Sequence, residues 1–178
     1  ISGGEVVSEN PRQAIKNGFA LIPEDRRKQG LVLIHSVEEN AILPKLSGLL
    51  TNGVFVDEKK ADAMVLDNVE KLNIVTDDIH KRIGLLSGGN QQKVVLAKWM
   101  NMHPKVMMLD EPTAGVDVGA KAEIIALMRE YADQGNGVLF VSSELAELMA
   151  VCDRIITIYN GKITGEIDRS ELGTEEVL

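Results

Sequence analysis

Two neighbouring stretches decide how the chain is read: Leu85-Leu86-Ser87-Gly88-Gly89-Asn90-Gln91-Gln92-Lys93 and Val106-Met107-Met108-Leu109-Asp110-Glu111-Pro112-Thr113-Ala114-Gly115-Val116-Asp117. In the first, Ser87 is a good N-cap, and Gly88 and Gly89 let backbone approach a ligand closely. The free N–H groups and dipole of the helix that follows then face an anion. In the second, the apolar run 106–109 has the length of a buried parallel strand and ends in two carboxylates. Open α/β sheets place ligands at the carboxyl ends of their strands. There Asp110 suits a hydrated Mg²⁺, and Glu111 suits the orientation of water.

Taken singly, Ser-Gly-Gly is an ordinary turn or cap, and Asp-Glu-Pro after a strand is an ordinary solvated loop. Their order and spacing in one chain are more specific. Leu86-Ser87-Gly88-Gly89-Asn90-Gln91-Gln92 resembles the signature motif of ABC ATPases, with Asn90 where that family more often has Gln. Val106–Glu111 resembles their Walker B strand, and Ala114-Gly115-Val116-Asp117 their D-loop. Pro23-Glu24-Asp25-Arg26 falls where they carry the Q-loop, with Glu24 in the place of the glutamine. That form, followed by Gly30-Leu31 and Glu39-Asn40, is similar to the second ATPase domain of monosaccharide importers of the ribose or galactose type.

The resemblance implies a P-loop NTPase-like α/β fold: a mostly parallel sheet flanked by helices, with residues 35–86 as a helical subdomain that meets a membrane-spanning partner. Residues 1–178 would then form a partial ATPase domain. ATP and Mg²⁺ are the implied cofactors. Glu111 takes the role of water activator, Asp110 joins the Mg²⁺ shell, and Glu24 senses the γ-phosphate side of that shell. Asp117 links the two sites of a dimer. Ser87, Gly88, Gly89 and Gln91 close over ATP held by the P-loop of the opposite domain. Ser143 stands where the family usually has a histidine that contacts the γ-phosphate. A hydroxyl donates one hydrogen bond but carries no charge near neutral pH. The implied partners are another ATPase half, a membrane-spanning permease and, indirectly, a sugar-binding receptor. The implied location is the cytoplasmic face of the cell membrane.

A P-loop of the form G-x-x-x-x-G-K-[ST] does not occur in these residues. The Gly161-Lys162 pair is followed by Ile163 and sits on a hairpin signal. In the family the P-loop precedes the Q-loop strand, so the expectation is a fragment without the front of the domain. A competing reading is a non-catalytic dimerisation or regulatory domain with a decayed site; the presence of both Asp110 and Glu111 argues against it. A soluble ABC ATPase of translation or DNA repair is disfavoured by the acidic charge and by the Glu24-Asp25-Arg26 and Ser142-Ser143-Glu144 forms.

The 178 residues are enough for one domain with a sizeable core. A net charge of -8 argues against a general nucleic-acid binder, whose phosphate contacts need a basic face. Cys152 has no second cysteine to pair with. No signal peptide and no long apolar span are found, so this stretch is not expected to enter a membrane by itself.

Along the chain, Asn10-Pro11 predicts a short helix stopped at Asn17-Gly18, and Phe19–Ile22 a strand. Glu24–Lys28 reads as a solvated charged loop. Ser36 and Glu39 have capping-box spacing, with the helix ending at Pro44. Residues 47–53 read as loop. Asp57 caps a helix to about Leu72, with Ala61, Met64, Val65, Val69 and Leu72 on one face and Asn68 off it. Further helices are predicted from Ser87 to about Met100, from about Ala120 to Gln134, and from Ser142-Ser143 through Cys152. Val138–Val141 reads as a buried strand, and Ile155–Tyr159 pairs with Lys162–Ile167 across Asn160-Gly161. Thr174-Glu175-Glu176 reads as a helix start. The alternation of strands and helices predicts a mostly parallel sheet with helices on both sides.

Overall fold

The computed structural model describes residues 5–168; the helix start expected at 174–176 lies outside them. Helix α1 (Pro11–Lys16) begins at Asn10, whose side chain accepts from the Gln13 N–H, and Gly18 turns the chain with φ +88 into strand β1 (Phe19–Ile22). The charged run after β1 is not a simple loop. Arg26–Gly30 is a single π-helical turn, capped by Asp25, which accepts from the backbone N–H groups of Arg27 and Lys28 at 3.1 Å each. The Lys28 N–H is the main reason that the Asp25 carboxyl is held below its usual range.

Helix α2 (Val37–Ile42) has the full capping box: the Ser36 hydroxyl accepts from the Glu39 N–H at 2.9 Å, and the Glu39 carboxylate accepts from the Ser36 N–H at 2.7 Å. Pro44 lacks an N–H and cannot continue the α-ladder. The chain nevertheless stays helical, as a 3₁₀ segment over Leu43–Leu49. Residues 47–53 are therefore not plain loop. Strands β2 (Leu50–Thr51) and β3 (Phe55–Val56) pair antiparallel around Asn52 and Gly53, both at positive φ, which is the backbone that an Asn-Gly hairpin turn requires.

Helix α3 (Glu58–Lys71) buries Ala61 and Val65 as its periodicity predicts, and Asp57 caps it. Asn68 is also buried, because its amide donates to the Asn101 side chain at 3.1 Å across to the end of helix α4 (Gly88–Met100). Strand β4 (Val106–Asp110) follows. Next come helix α5 (Val118–Asp133), strand β5 (Gly137–Val141), helix α6 (Leu145–Val151), and the hairpin of β6 (Arg154–Tyr159) with β7 (Lys162–Asp168). Asn160 and Gly161 turn that hairpin at positive φ. It forms its own two-stranded sheet.

The central sheet is parallel, in the order β1-β4-β5. Its period-2 pattern divides the two faces. Ala20, Ile22, Met107, Leu109 and Phe140 are buried against Val94, Val95, Ile124, Met128 and Val151 of α4, α5 and α6. The alternate residues Leu21, Leu139 and Val141 remain about half exposed. Strand β5 is therefore buried at Phe140 alone, because it is an edge strand in the described residues and the helices lie on one face. No helix of the described residues is long and apolar enough to cross a membrane.

Candidate functional site

Parallel register brings three strand ends to one edge. Ile22 lies beside Leu109, and Asp110 lies beside Val141. Glu24, Asp110-Glu111 and Ser143 consequently leave the sheet at the same end, where a crevice outside the carboxyl ends is the usual ligand position. Glu111 has φ +43, a left-handed backbone that non-glycine residues seldom adopt, held by its N–H donating to the Val141 carbonyl at 2.9 Å. Asp110, Glu24 and Ser143 are exposed, and Glu111 is half-buried. Among the described residues, nothing hydrogen-bonds or pairs with the side chains of these four. They are free to meet a ligand.

The signature stretch sits at the start of α4. Ser87 caps the helix, and its hydroxyl also accepts from the Asn90 amide at 3.0 Å. The other end of that amide accepts from the Val75 N–H at 2.7 Å, tying the helix start to the segment after α3. The motif residues do not all face outward. Gln91 is buried, and its amide donates to the carbonyls of Leu86 and Ile83 at 3.0 and 3.3 Å. Its side chain thus holds the turn that delivers Ser87 instead of presenting itself to a ligand. Gly89 is packed as well: a Cβ there would meet the Ala120 Cβ of α5 at 2.5 Å. Ser87, Gly88 and the first N–H groups of α4 are what the stretch offers to an anion. Asp117 caps α5, accepting from the Ala120 N–H at 3.0 Å, and stays exposed.

Two further features tie these loops together: Arg26, quoted in the Q-loop segment without a role, and Glu147, which no motif includes. Arg26 reaches from the turn after β1 to the carbonyls of Ala114 and Gly115, at 2.7 and 3.2 Å. Glu147 of α6, only 3% exposed, accepts from the Thr113 hydroxyl at 2.7 and 2.8 Å and from Ser142 at 2.7 Å, and pairs with Lys121 at 2.8 Å. Burial drives the Glu147 carboxyl upward, but the hydrogen bonds from Lys121, Thr113 and Ser142 outweigh it and hold the group below its ordinary range. Arg26 stands in a run of like charges and Glu147 on an amphipathic helix. Local pattern therefore does not separate them from solvated neighbours.

Among the described residues no three His, Cys, Asp or Glu side chains converge to hold a metal. Mg²⁺ rarely needs such a cage; one or two carboxylates, with water and phosphate oxygens, complete its shell. The unpartnered Asp110 at a strand end fits that requirement. The grooves between α3, α4 and α5, lined by residues such as Lys71, Lys93, Glu123 and Glu130, contain none of the candidate residues. The site is an open surface at the sheet edge.

Comparison with known proteins identifies the family. The model of the ABC transporter family matches residues 1–114. The ribose import ATP-binding protein RbsA of Lactococcus lactis subsp. cremoris (strain SK11) is 46% identical over 178 residues, which is 100% of this chain and 36% of that protein. RbsA of Bacillus subtilis (strain 168) is 44% identical over the same share of each. The chain thus spans about a third of the length of these relatives. Among solved structures, the dimeric post-hydrolysis state of the ATP-binding cassette MJ0796 bound to ADP and Pi superposes with a TM-score of 0.73 at 19% identity, covering 92% of this chain and 68% of that one. That likeness speaks for the fold alone. With its strand-end carboxylates, its glycine helix start and this family match, the chain belongs to the ABC transporter family of ATP-binding domains.

Proposed function

We propose that the chain is part of the ATP-hydrolysing subunit of an ABC importer that takes up a monosaccharide, with ATP and Mg²⁺ as cofactors. The observation that carries this reading is that Glu24, Asp110, Glu111 and Ser143 leave the parallel strands at the same end, beside the Ser87-Gly88 helix start, which Arg26 and the loop before Asp117 abut. The names of the relatives support a pentose, ribose, as the sugar.

In this reading Glu111 orients the attacking water and accepts its proton, with its carboxylate aimed by the strained backbone. Asp110 and Glu24 hold the hydrated Mg²⁺, which neutralises phosphate charge when bound. Ser143 offers one hydroxyl to the terminal phosphate. Ser87, Gly88 and Gly89 close over a nucleotide whose phosphate cradle is a P-loop outside these residues, in an opposing domain. Gln91 acts behind them by bracing the turn. Asp117 faces the partner domain. A second ATPase domain, a membrane-spanning permease and a sugar-binding receptor complete the assembly, with this domain the second of two in its chain and peripheral to the cytoplasmic face of the membrane.

The test uses the full-length protein with its membrane partner at saturating ATP. Glu111→Gln disables the site served by its own half, where Ser143 replaces a histidine. Gly88→Asp places a negative charge where the other half's phosphate arrives. Like charges about 4 Å apart near a surface repel by about 4 kcal/mol at an effective dielectric of ~20. Gly88→Asp is expected to lower turnover more than Glu111→Gln. The reverse order would overturn the cross-dimer assignment, and no hydrolysis by the unaltered protein would overturn the function.

A further inference from the structure

Arg26 joins three loops that lie far apart in sequence. It follows Glu24 by two residues. Its Nη1 and Nη2 donate to the successive carbonyls of Ala114 and Gly115. Gly115 itself has φ +64, a conformation that favours glycine. A planar guanidinium presents donors from two nitrogens in a fixed fork; an ammonium is a single point donor and cannot hold both carbonyls in one geometry. The same Nη2 lies 2.7 Å from where a Cβ on Gly88 would sit, and that Cβ would also be 3.1 Å from the Gly115 oxygen. The missing side chain at 88 is thus what admits the guanidinium and the loop against the start of α4.

The neighbours show that this is not the behaviour of the charged run as a whole. Arg27 and Lys28 are exposed, and Lys28 pairs only with Asp25 beside it, at 3.3 Å. Arg26 is half-buried, and its Nε is buried with no acceptor among the described residues. Burial, then Arg27, pull its pKa down. A cation beside the positive end of a helix is also unfavourable unless other groups offset it. The two carbonyls provide that offset, and they belong to the loop that leads to Asp117.

We propose that Arg26 is a positioning residue that locks the loop of residues 114–117 to the start of α4, so that this loop follows the segment carrying Glu24. A shift of Glu24 on the phosphate side of the site is then passed to Asp117 and the partner-facing surface. The inference rests on the functional reading above, but its structural half stands without it.

The experiment compares Arg26→Ala, Arg26→Lys and the control Arg27→Ala in the full-length protein with its membrane partner. ATP turnover is measured against ATP concentration, and backbone hydrogen exchange is followed across residues 112–119. Both Arg26 variants are expected to exchange faster in that loop and to lose kcat by about tenfold, the scale of one charge-assisted hydrogen bond, with KM little changed. Arg27→Ala should match the unaltered protein. Arg26→Lys keeps the charge, so it reads the fork geometry even if Arg26→Ala fails to fold. Unaltered exchange and kcat in Arg26→Lys would overturn the proposal. If the unaltered protein does not hydrolyse ATP, the functional reading fails; the exchange of the loop then still decides whether Arg26 locks it.

Discussion

Gly88 and Gly89 are adjacent, yet each is small for a different reason. At 88 an added Cβ would meet the tip of the Arg26 side chain and, at 3.1 Å, the Gly115 carbonyl oxygen, so it would press on the Arg26 clamp and an exposed loop, not on helix packing. At 89 it would meet the Ala120 Cβ on α5 at 2.5 Å, and neither helix can yield without repacking. Overpacking of this kind destabilises by about 1–3 kcal/mol. Gly89→Ala should therefore lower the unfolding free energy by that much, seen as a lower urea midpoint, and Gly88→Ala by clearly less. Equal midpoints for the two would show that α4 and α5 do not abut at these residues. Gln91 belongs to the same scale. Its position in the motif suggests a ligand contact, while its burial and its bonds to the Ile83 and Leu86 carbonyls assign it to holding the turn.

At the scale of elements, Glu147 binds the end of β4, the end of β5, α5 and α6 into one unit. Removing its carboxylate by Glu147→Ala strands two hydroxyls and leaves Lys121 only Glu144, at 2.7 Å. Lys121 is partly exposed and keeps that partner, so the main cost is the buried Thr113 hydroxyl left without its acceptor, about 1–3 kcal/mol. The pH dependence has a definite sign. The folded pKa of Glu147 lies below its ordinary 4.5. Its contribution is therefore complete above the unfolded value and is lost as pH falls through the folded one. The stability difference between the unaltered chain and Glu147→Gln should be constant near neutral pH and shrink progressively below about pH 5, where the carboxylate of the unfolded chain takes up its proton before the native one does. Urea denaturation from pH 7 to pH 3 measures it. A difference that stays flat to pH 3 would show that Glu147 does not contribute as an ionised group.

At the scale of the whole molecule, the central sheet has, among the described residues, one covered face and one bare one. Leu21, Met108 and Leu139 lie in register across β1, β4 and β5, and Leu21 and Leu139 are 52% and 56% exposed. Parallel sheets are ordinarily covered on both faces, since their strands are apolar on both. The 178-residue chain in solution should therefore bind a hydrophobic dye such as ANS at this face. Replacing Leu21, Met108 and Leu139 together with Thr, which keeps strand propensity, should abolish most of that signal. Unchanged dye fluorescence would mean that the row is covered in solution. The elements themselves were largely legible beforehand, because caps and hydrophobic period are local: Asn10, Ser36, Asp57 and Ser87 all cap the helices that follow them, while Asp117 caps a helix whose start was expected at about Ala120. The hairpin at Asn52-Gly53 carried a signal as clear as the one at Asn160-Gly161, and it was obscured by the short strands around it. The sequence by itself determined the family, the strand-end carboxylates and the helix start at Ser87, since motif order and capping reside in neighbouring residues. Only the tertiary structure decided that Gln91 turns inward, that Arg26 clamps the Ala114-Gly115 carbonyls and that Glu147 joins Thr113 to Ser142. Those pairings span 34 residues or fewer for Glu147 and up to 89 for Arg26. They depend on which side chain the packed core leaves room for, which no local pattern encodes.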